Sequence, residues 1–170
     1  LKGDGIDDFM STAAIDFTGT DKLALWAGVT KLDETVRIVA ELSAGLGSNP
    51  GSFFLVSGTD GAYSQAYASL SRGTAPPAAV QAAGYADVPA PDTAALTVTH
   101  DISGDLSTIN RNGVAGVNGT SEKGTGNFGN YPMYFLARGG TSTFFNGQLY
   151  SNVCLGREAT ADELTKTQAW

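Results

Sequence analysis

Lys22-Leu23-Ala24-Leu25-Trp26-Ala27-Gly28-Val29 decides the fold class. Leu23, Leu25, Ala27 and Val29 alternate with Lys22, Ala24, Trp26 and Gly28. A period of two sends one set to each face of a pleated strand, which is the mark of a half-buried strand.

Working outward, the same pattern recurs along the chain. Ile6 to Met10 follows a Gly-Asp-Gly turn and reads as a short opening strand. Val36, Ile38, Ala40 and Leu42 alternate against Arg37 and Glu41, and Phe53-Phe54-Leu55-Val56 is a compact apolar run ended by Gly58. Gln65 to Ser71 alternates weakly. The Ala- and Pro-rich stretch from Thr74 to Ala79 reads as a loop between strands, because neither flank is large enough for its own core. Leu96, Val98 and His100 alternate with Thr97 and Thr99, and Leu106 to Arg111 leads into Asn112-Gly113. An Asn-Gly pair between strand-like runs signals a hairpin, since both residues tolerate positive φ. Val114 to Val117 is the returning strand, 118–130 a long polar loop, and Pro132 to Ala137 a further strand. Gly147 to Leu155 closes the set, with Leu149, Ser151, Val153 and Leu155 on one side. Thr160 and Glu163 form a capping box that opens a short helix over Ala161 to Ala169, with Leu164 docked on the strands. The fold class is therefore all-β: a two-sheet antiparallel sandwich with a short C-terminal helix.

The 170 residues suit a single domain spanning 1–170, since domains usually run ~100–200 residues. An apolar fraction of 42% and a charged fraction of 16% are those of a folded core. Ten Lys and Arg against a net charge of −7 give no basic footprint for nucleic acid or for an anionic membrane surface. No apolar run reaches the roughly 18 residues of a membrane span, and no signal-peptide pattern is present. Cys154, the one cysteine, excludes an intrachain disulfide. The chain opens on Leu1, and the expectation is a domain of a longer polypeptide.

Four segments resemble the laminin-G-like (LamG) branch of the concanavalin A-like lectin/glucanase superfamily. They are Gly3-Asp4-Gly5-Ile6-Asp7-Asp8-Phe9-Met10, Lys22 to Val29 with its central tryptophan, Leu106 to Val117 with its hairpin, and Phe145 to Val153 followed by Thr160-Ala161-Asp162-Glu163-Leu164. Together they run the length of the chain in the expected order. The texture also resembles domains of phage tail, virion and bacterial surface proteins. The resemblance implies a jelly-roll sandwich, placed outside the cell or on a virion surface. It further implies glycan or protein recognition, sometimes with a calcium ion; a cell-surface receptor and a homo-oligomer such as a trimer are further expected partners.

The residues point to recognition rather than catalysis. Glucanases of that superfamily carry Glu-x-Asp-x-x-Glu on one strand, serving as nucleophile and acid/base, and this chain has no such run. Asp101 and Asp105 flank a glycine turn, where Asp is favoured by turn chemistry alone. His100 has no nucleophile motif beside it and reads as a satisfied structural residue. Cys154 reads as a small packed apolar group. Zinc would need more His or Cys than the chain has, so calcium is the metal the residues allow. Asp4, Asp7 and Asp8 beside the opening turn are its candidate ligands. For a glycan, aromatic faces and planar amide or guanidinium groups on loops are the candidates. The richest set is Asn127, Phe128, Asn130 and Tyr131, with Arg138 and Phe144 close by in sequence. Tyr63, Tyr67 and Tyr85 form a second aromatic group. Asn118-Gly119-Thr120 is a glycosylation sequon of use only in a eukaryotic secretory pathway. The leading expectation is a non-enzymatic carbohydrate- or receptor-binding module. A structural virion domain with subunit contacts is the alternative, and a glycan-cleaving enzyme comes last.

Overall fold

The computed structural model describes residues 1–58, 66–75, 83–85 and 88–167. Its described strands are β1 (Lys2–Asp4), β2 (Met10–Asp16), β3 (Lys22–Lys31), β4 (Arg37–Leu42), β5 (Ser52–Ser57), β6 (Tyr67–Arg72), β7 (Ala83–Tyr85), β8 (Asp92–Asp101), β9 (Leu106–Arg111), β10 (Val114–Ala115), β11 (Asn130–Phe135) and β12 (Asn146–Leu155). They form two antiparallel six-stranded sheets. Sheet A has the order β1-β12-β3-β8-β9-β10, and sheet B the order β2-β11-β4-β5-β6-β7. The helix α1 (Ala161–Thr167) follows β12. Its capping box is formed: Glu163 N donates to Thr160 Oγ1 at 3.2 Å and Thr160 N to Glu163 Oε2 at 2.9 Å. Residues 168 and 169 of the expected helix lie outside the described residues. No helix among the described residues is long and apolar enough to cross a membrane.

The core lies between the sheets. Leu23, Leu25, Ala27 and Val29 of β3 point into it, as their alternation requires, and meet Leu42, Phe53 and Leu55 of sheet B. At the Asn112-Gly113 turn φ is 50° and 78°, so the hairpin joining β9 to β10 forms as its sequence demands.

Three expectations need correction. The opening strand is not Ile6 to Met10. Gly5 has φ 81°, and Asp4 Oδ1 accepts from Ile6 N at 2.8 Å. The resulting turn takes the chain from β1 in sheet A to β2 in sheet B. In β4, Val39 is a bulge residue between the pairs Ile38↔Val56 and Ala40↔Leu55. Ile38 therefore faces away from Ala40 and Leu42, since one extra residue reverses alternation. In β12, Tyr150 is the extra residue between Leu149↔Val29 and Ser151↔Gly28. Leu149 thus enters the core, whereas Ser151, Val153 and Leu155 lie on the outer face. The short β7, set in the Ala- and Gly-rich region, has no pattern that announces it.

The two long sides of the sandwich differ. On one, Gly84 of β7 pairs with Val117 through hydrogen bonds of 2.8 and 2.7 Å, and Ser107 of β9 pairs with Gly119 at 2.9 and 3.0 Å. The segment 116–119 thereby sews sheet B to sheet A. A Cβ on Gly116 would stand 2.4 Å from the Gly84 carbonyl oxygen, so only glycine passes there. On the other side, β2 and the outer half of β12 are edges.

Candidate functional site

The six residues proposed for a ligand are not brought together. Asn127 and Tyr131 lie at one end of β11, where Asn127 Nδ2 donates to Thr18 O at 2.6 Å and Tyr131 OH to Pro50 O at 3.1 Å. Arg138 and Phe144 lie beyond its other end, with a strand of about 17 Å between, at ~3.3 Å per residue. Asn130 is exposed on β11. Phe128 is a core residue: it is fully buried, with its ring edge-on to Phe53 at 6.1 Å. Arg138 is engaged by sheet B. Its Nε donates to Glu41 Oε2 at 3.1 Å and its guanidinium lies over the Phe54 ring. Burial pushes the Glu41 carboxyl above its ordinary range, against the pull of Arg138.

The remaining polar candidates serve structure. His100 is enclosed between the sheets, with Nε2 3.0 Å from Ser69 Oγ and Nδ1 2.8 Å from Ser107 Oγ. Burial, helped by the Lys123 charge, brings its pKa down to about 3, so the ring is neutral. Asp101 binds Lys22 and accepts from Gly104 N, while Asp105 accepts from Lys123 N at 2.8 Å. Both carboxylates are spent on turn and loop geometry. Tyr67, of the second aromatic group, is fully buried and donates to Asp92 at 2.8 Å, and Arg111 lies over the Tyr85 ring. Tyr63 lies outside the described residues. Burial pushes the Cys154 thiol up to about 12, as befits a packed apolar group.

Asp4, Asp7 and Asp8 do cluster, with one carboxylate oxygen from each within 4.8 Å of the others, and all three are exposed. Asp4 Oδ1 and Asp8 Oδ2 already accept from the Ile6 and Asp4 amides. Three solvated carboxylates are half or less of the 6–8 oxygens calcium takes.

A different site emerges on the outer face of sheet A. There the outward set of β3 is Ala24, Trp26, Gly28 and Thr30. Helix α1 covers one end of this face, where Leu155 and Leu164 pack on Ala24, Trp26 and Ala159. Beyond Trp26 the face is open, and a depression of about 330 Å³ lies among Trp26, Gly28, Thr93, Ala95, Tyr150 and Val153. Its cause is local. Gly28 has no side chain to fill the centre, and a Cβ there would meet Ser151 Oγ at 3.0 Å. The bulge opposite Gly28 raises Tyr150, which is 61% exposed, as a wall. Bulges commonly re-aim a side chain in this way beside functional sites. Thr30 Oγ1 is 2.7 Å from Thr93 Oγ1 and 3.0 Å from Tyr150 OH, making a chain of three exposed hydroxyl groups along the rim. None of the described lining residues is charged. An aromatic wall, an apolar floor and neutral hydroxyls suit a ligand with both C–H faces and hydroxyl groups.

No protein-family model and no curated protein sequence matches the chain. Solved structures match its fold. The CBM40 of the Ruminococcus gnavus IT-sialidase, bound to α2,3-sialyllactose, superposes with a TM-score of 0.56 at 11% identity, covering 93% of this chain and 97% of that one. Domain 4 of AbnA, a GH43 extracellular arabinanase from Geobacillus stearothermophilus, in complex with arabinotriose, gives a TM-score of 0.60 at 10% identity, over 94% of this chain and 72% of that one. Trypanosoma rangeli sialidase in complex with the inhibitor DANA gives a TM-score of 0.58 at 14% identity. The match covers 89% of this chain and 23% of the sialidase, so the chain spans about a quarter of that enzyme's length. At such identities the likeness shows the fold, a two-sheet β-sandwich, and nothing finer.

Proposed function

We propose that this domain is a non-enzymatic carbohydrate-binding module that takes its glycan in the depression on the outer face of sheet A. The observation that carries the reading is Tyr150. An aromatic ring 61% exposed, lifted by a bulge above a glycine and hydrogen-bonded to Thr30, offers the flat face on which the C–H side of a sugar stacks, with hydroxyls beside it. The two neighbours matched over most of both chains support it, since their structures are a CBM40 with sialyllactose and an arabinanase domain with arabinotriose. The non-enzymatic part is supported by Asp101, Asp105 and His100, each held by structural partners. In this reading the unit is one laminin-G-like domain, 1–170, of a longer surface polypeptide, such as a bacterial surface protein or a phage tail, facing the outside of a cell or virion.

Screening the isolated domain on a broad panel of immobilised glycans is expected to give binders. Tyr150→Ala should weaken that binding at least about tenfold with the melting temperature unchanged. A domain that retains no glycan of any class would sink the reading.

One observation favours the subunit-contact alternative. The edge strand β2 is exposed along most of its length, with Ile6, Phe9 and Met10 at its approach 70%, 47% and 45% exposed. Light scattering that finds a stable trimer broken by Met10→Lys would move the weight to that reading.

A further inference from the structure

The depression on sheet A does not end at Tyr150. On the far side of the same residue a second depression, of about 290 Å³, lies among Met10, Phe135, Leu149 and Asn152, and Tyr150 and Ser151 line both. This second hollow exists because β1 pairs only with residues 146–148 of β12. Past Leu149, whose N and O are both bonded by Leu1, the edge of β12 stands free, beside the start of β2. Each hollow is at the lower bound of small-molecule sites, ~300 Å³, so an extended ligand is accommodated only by the two together.

Each hollow is also bordered by a buried donor that the protein leaves unpaired. Trp26 is more than nine-tenths buried, and its Nε1 has no hydrogen-bond partner in the protein. Asn152 Nδ2, beside the second hollow, has none either. Buried donors are nearly always paired, so each leaves one hydrogen bond open at the margin of its hollow.

Charge narrows the ligand class. No described residue lining either hollow has a charged side chain. A carboxylate or sulfate taken out of water in the first hollow would find no cation among its described lining to offset its desolvation, and in the second only the Leu1 ammonium, which donates to Leu149 O at 2.8 Å. The chain's net charge of −7 repels polyanions at longer range.

Resting on the carbohydrate-binding reading, we infer that the ligand is an uncharged oligosaccharide chain laid across Tyr150, with sugar units in both hollows, and not a single acidic sugar. The hydroxyl row of Thr93, Thr30 and Tyr150 serves the first unit, and Asn152 the second.

An array bearing neutral oligosaccharides beside sialylated and uronate-containing ones tests the class. Calorimetry with the best neutral trisaccharide and its component monosaccharide then tests the length. The expected result is binding confined to neutral chains, with the trisaccharide at least about tenfold tighter than the monosaccharide. Met10→Asp, in the second hollow, should lower trisaccharide affinity by about the same factor while the melting temperature holds. Acidic glycans as the sole binders, equal mono- and trisaccharide affinities, or a Met10→Asp variant that binds the trisaccharide unchanged would each overturn the inference and leave the carbohydrate-binding reading standing. Failure to bind any glycan would instead overturn the reading beneath it.

Discussion

The outer faces of the two sheets are built from the same alternation and end in opposite states. On sheet B the outward residues of β4, β5 and β6 are Ile38, Phe54, Val56, Ala68 and Leu70, all buried together with Leu46 of the loop between β4 and β5. On sheet A the outward residues around the depression are Gly28, Thr30, Thr93, Ala95, Tyr150 and Val153, and they stay in reach of solvent. Ile38, Phe54, Val56 and Leu70 together make a face that must be covered. Threonine, alanine and glycine make one that need not be. The carbohydrate-binding reading puts the ligand on the face whose small residues leave it without a structural duty.

A matched pair of truncations separates the two faces. Phe54→Ala on sheet B should cost about 3–5 kcal/mol of unfolding free energy, as for other buried aromatics. Tyr150→Ala on sheet A should cost less than ~0.5 kcal/mol. Urea denaturation of both variants checks this, and similar losses at the two sites would erase the distinction.

Between the faces, acid probes the layer that both sheets share. An unfolded histidine takes its proton near pH 6.5, whereas His100 in the fold resists until about 3. Between those values the unfolded chain binds the extra proton, so stability present above pH 6.5 is lost as the pH falls. The slope from this one group is about 1.4 kcal/mol per pH unit. Denaturation midpoints between pH 7 and 4 should fall more steeply for the natural chain than for His100→Asn. Parallel curves would mean that the imidazole is not sealed between the sheets.

A loss smaller than that of Phe54→Ala is expected at the boundary where sheet A passes from covered to open. Thr160→Ala removes the cap of α1 and should cost about 1 kcal/mol. It should also loosen Leu164 over Trp26, read as an increase in tryptophan fluorescence quenching by acrylamide. Unaltered quenching would detach the helix from the comparison.

Much of the fold was legible in the sequence because most strands bury one face. The alternation from Lys22 to Val29, the Asn112-Gly113 turn and the Thr160–Glu163 box each state a local preference that the tertiary structure keeps. The bulges at Val39 and Tyr150 were not legible, because an inserted residue leaves both halves of a strand patterned and changes only their relation. The site was harder. The loop aromatics of Asn127–Tyr131 and Phe144 look like ligand groups by their place in the sequence, yet Phe128 turns inward to fill the core beside Phe53. The usable signal lay inside the strands. Gly28 interrupts the outward set of β3 beside Trp26, and Tyr150 sits where the alternation of β12 breaks.

That break has a consequence for how the surface is inherited. Because Tyr150 has no counterpart on β3, the residues before and after it would keep their present partners if it were excised. The aromatic wall is in effect a one-codon insert in an otherwise ordinary ladder. In the carbohydrate-binding reading, affinity can then be gained, lost or retuned at this one position by changes that leave the interior ladder untouched.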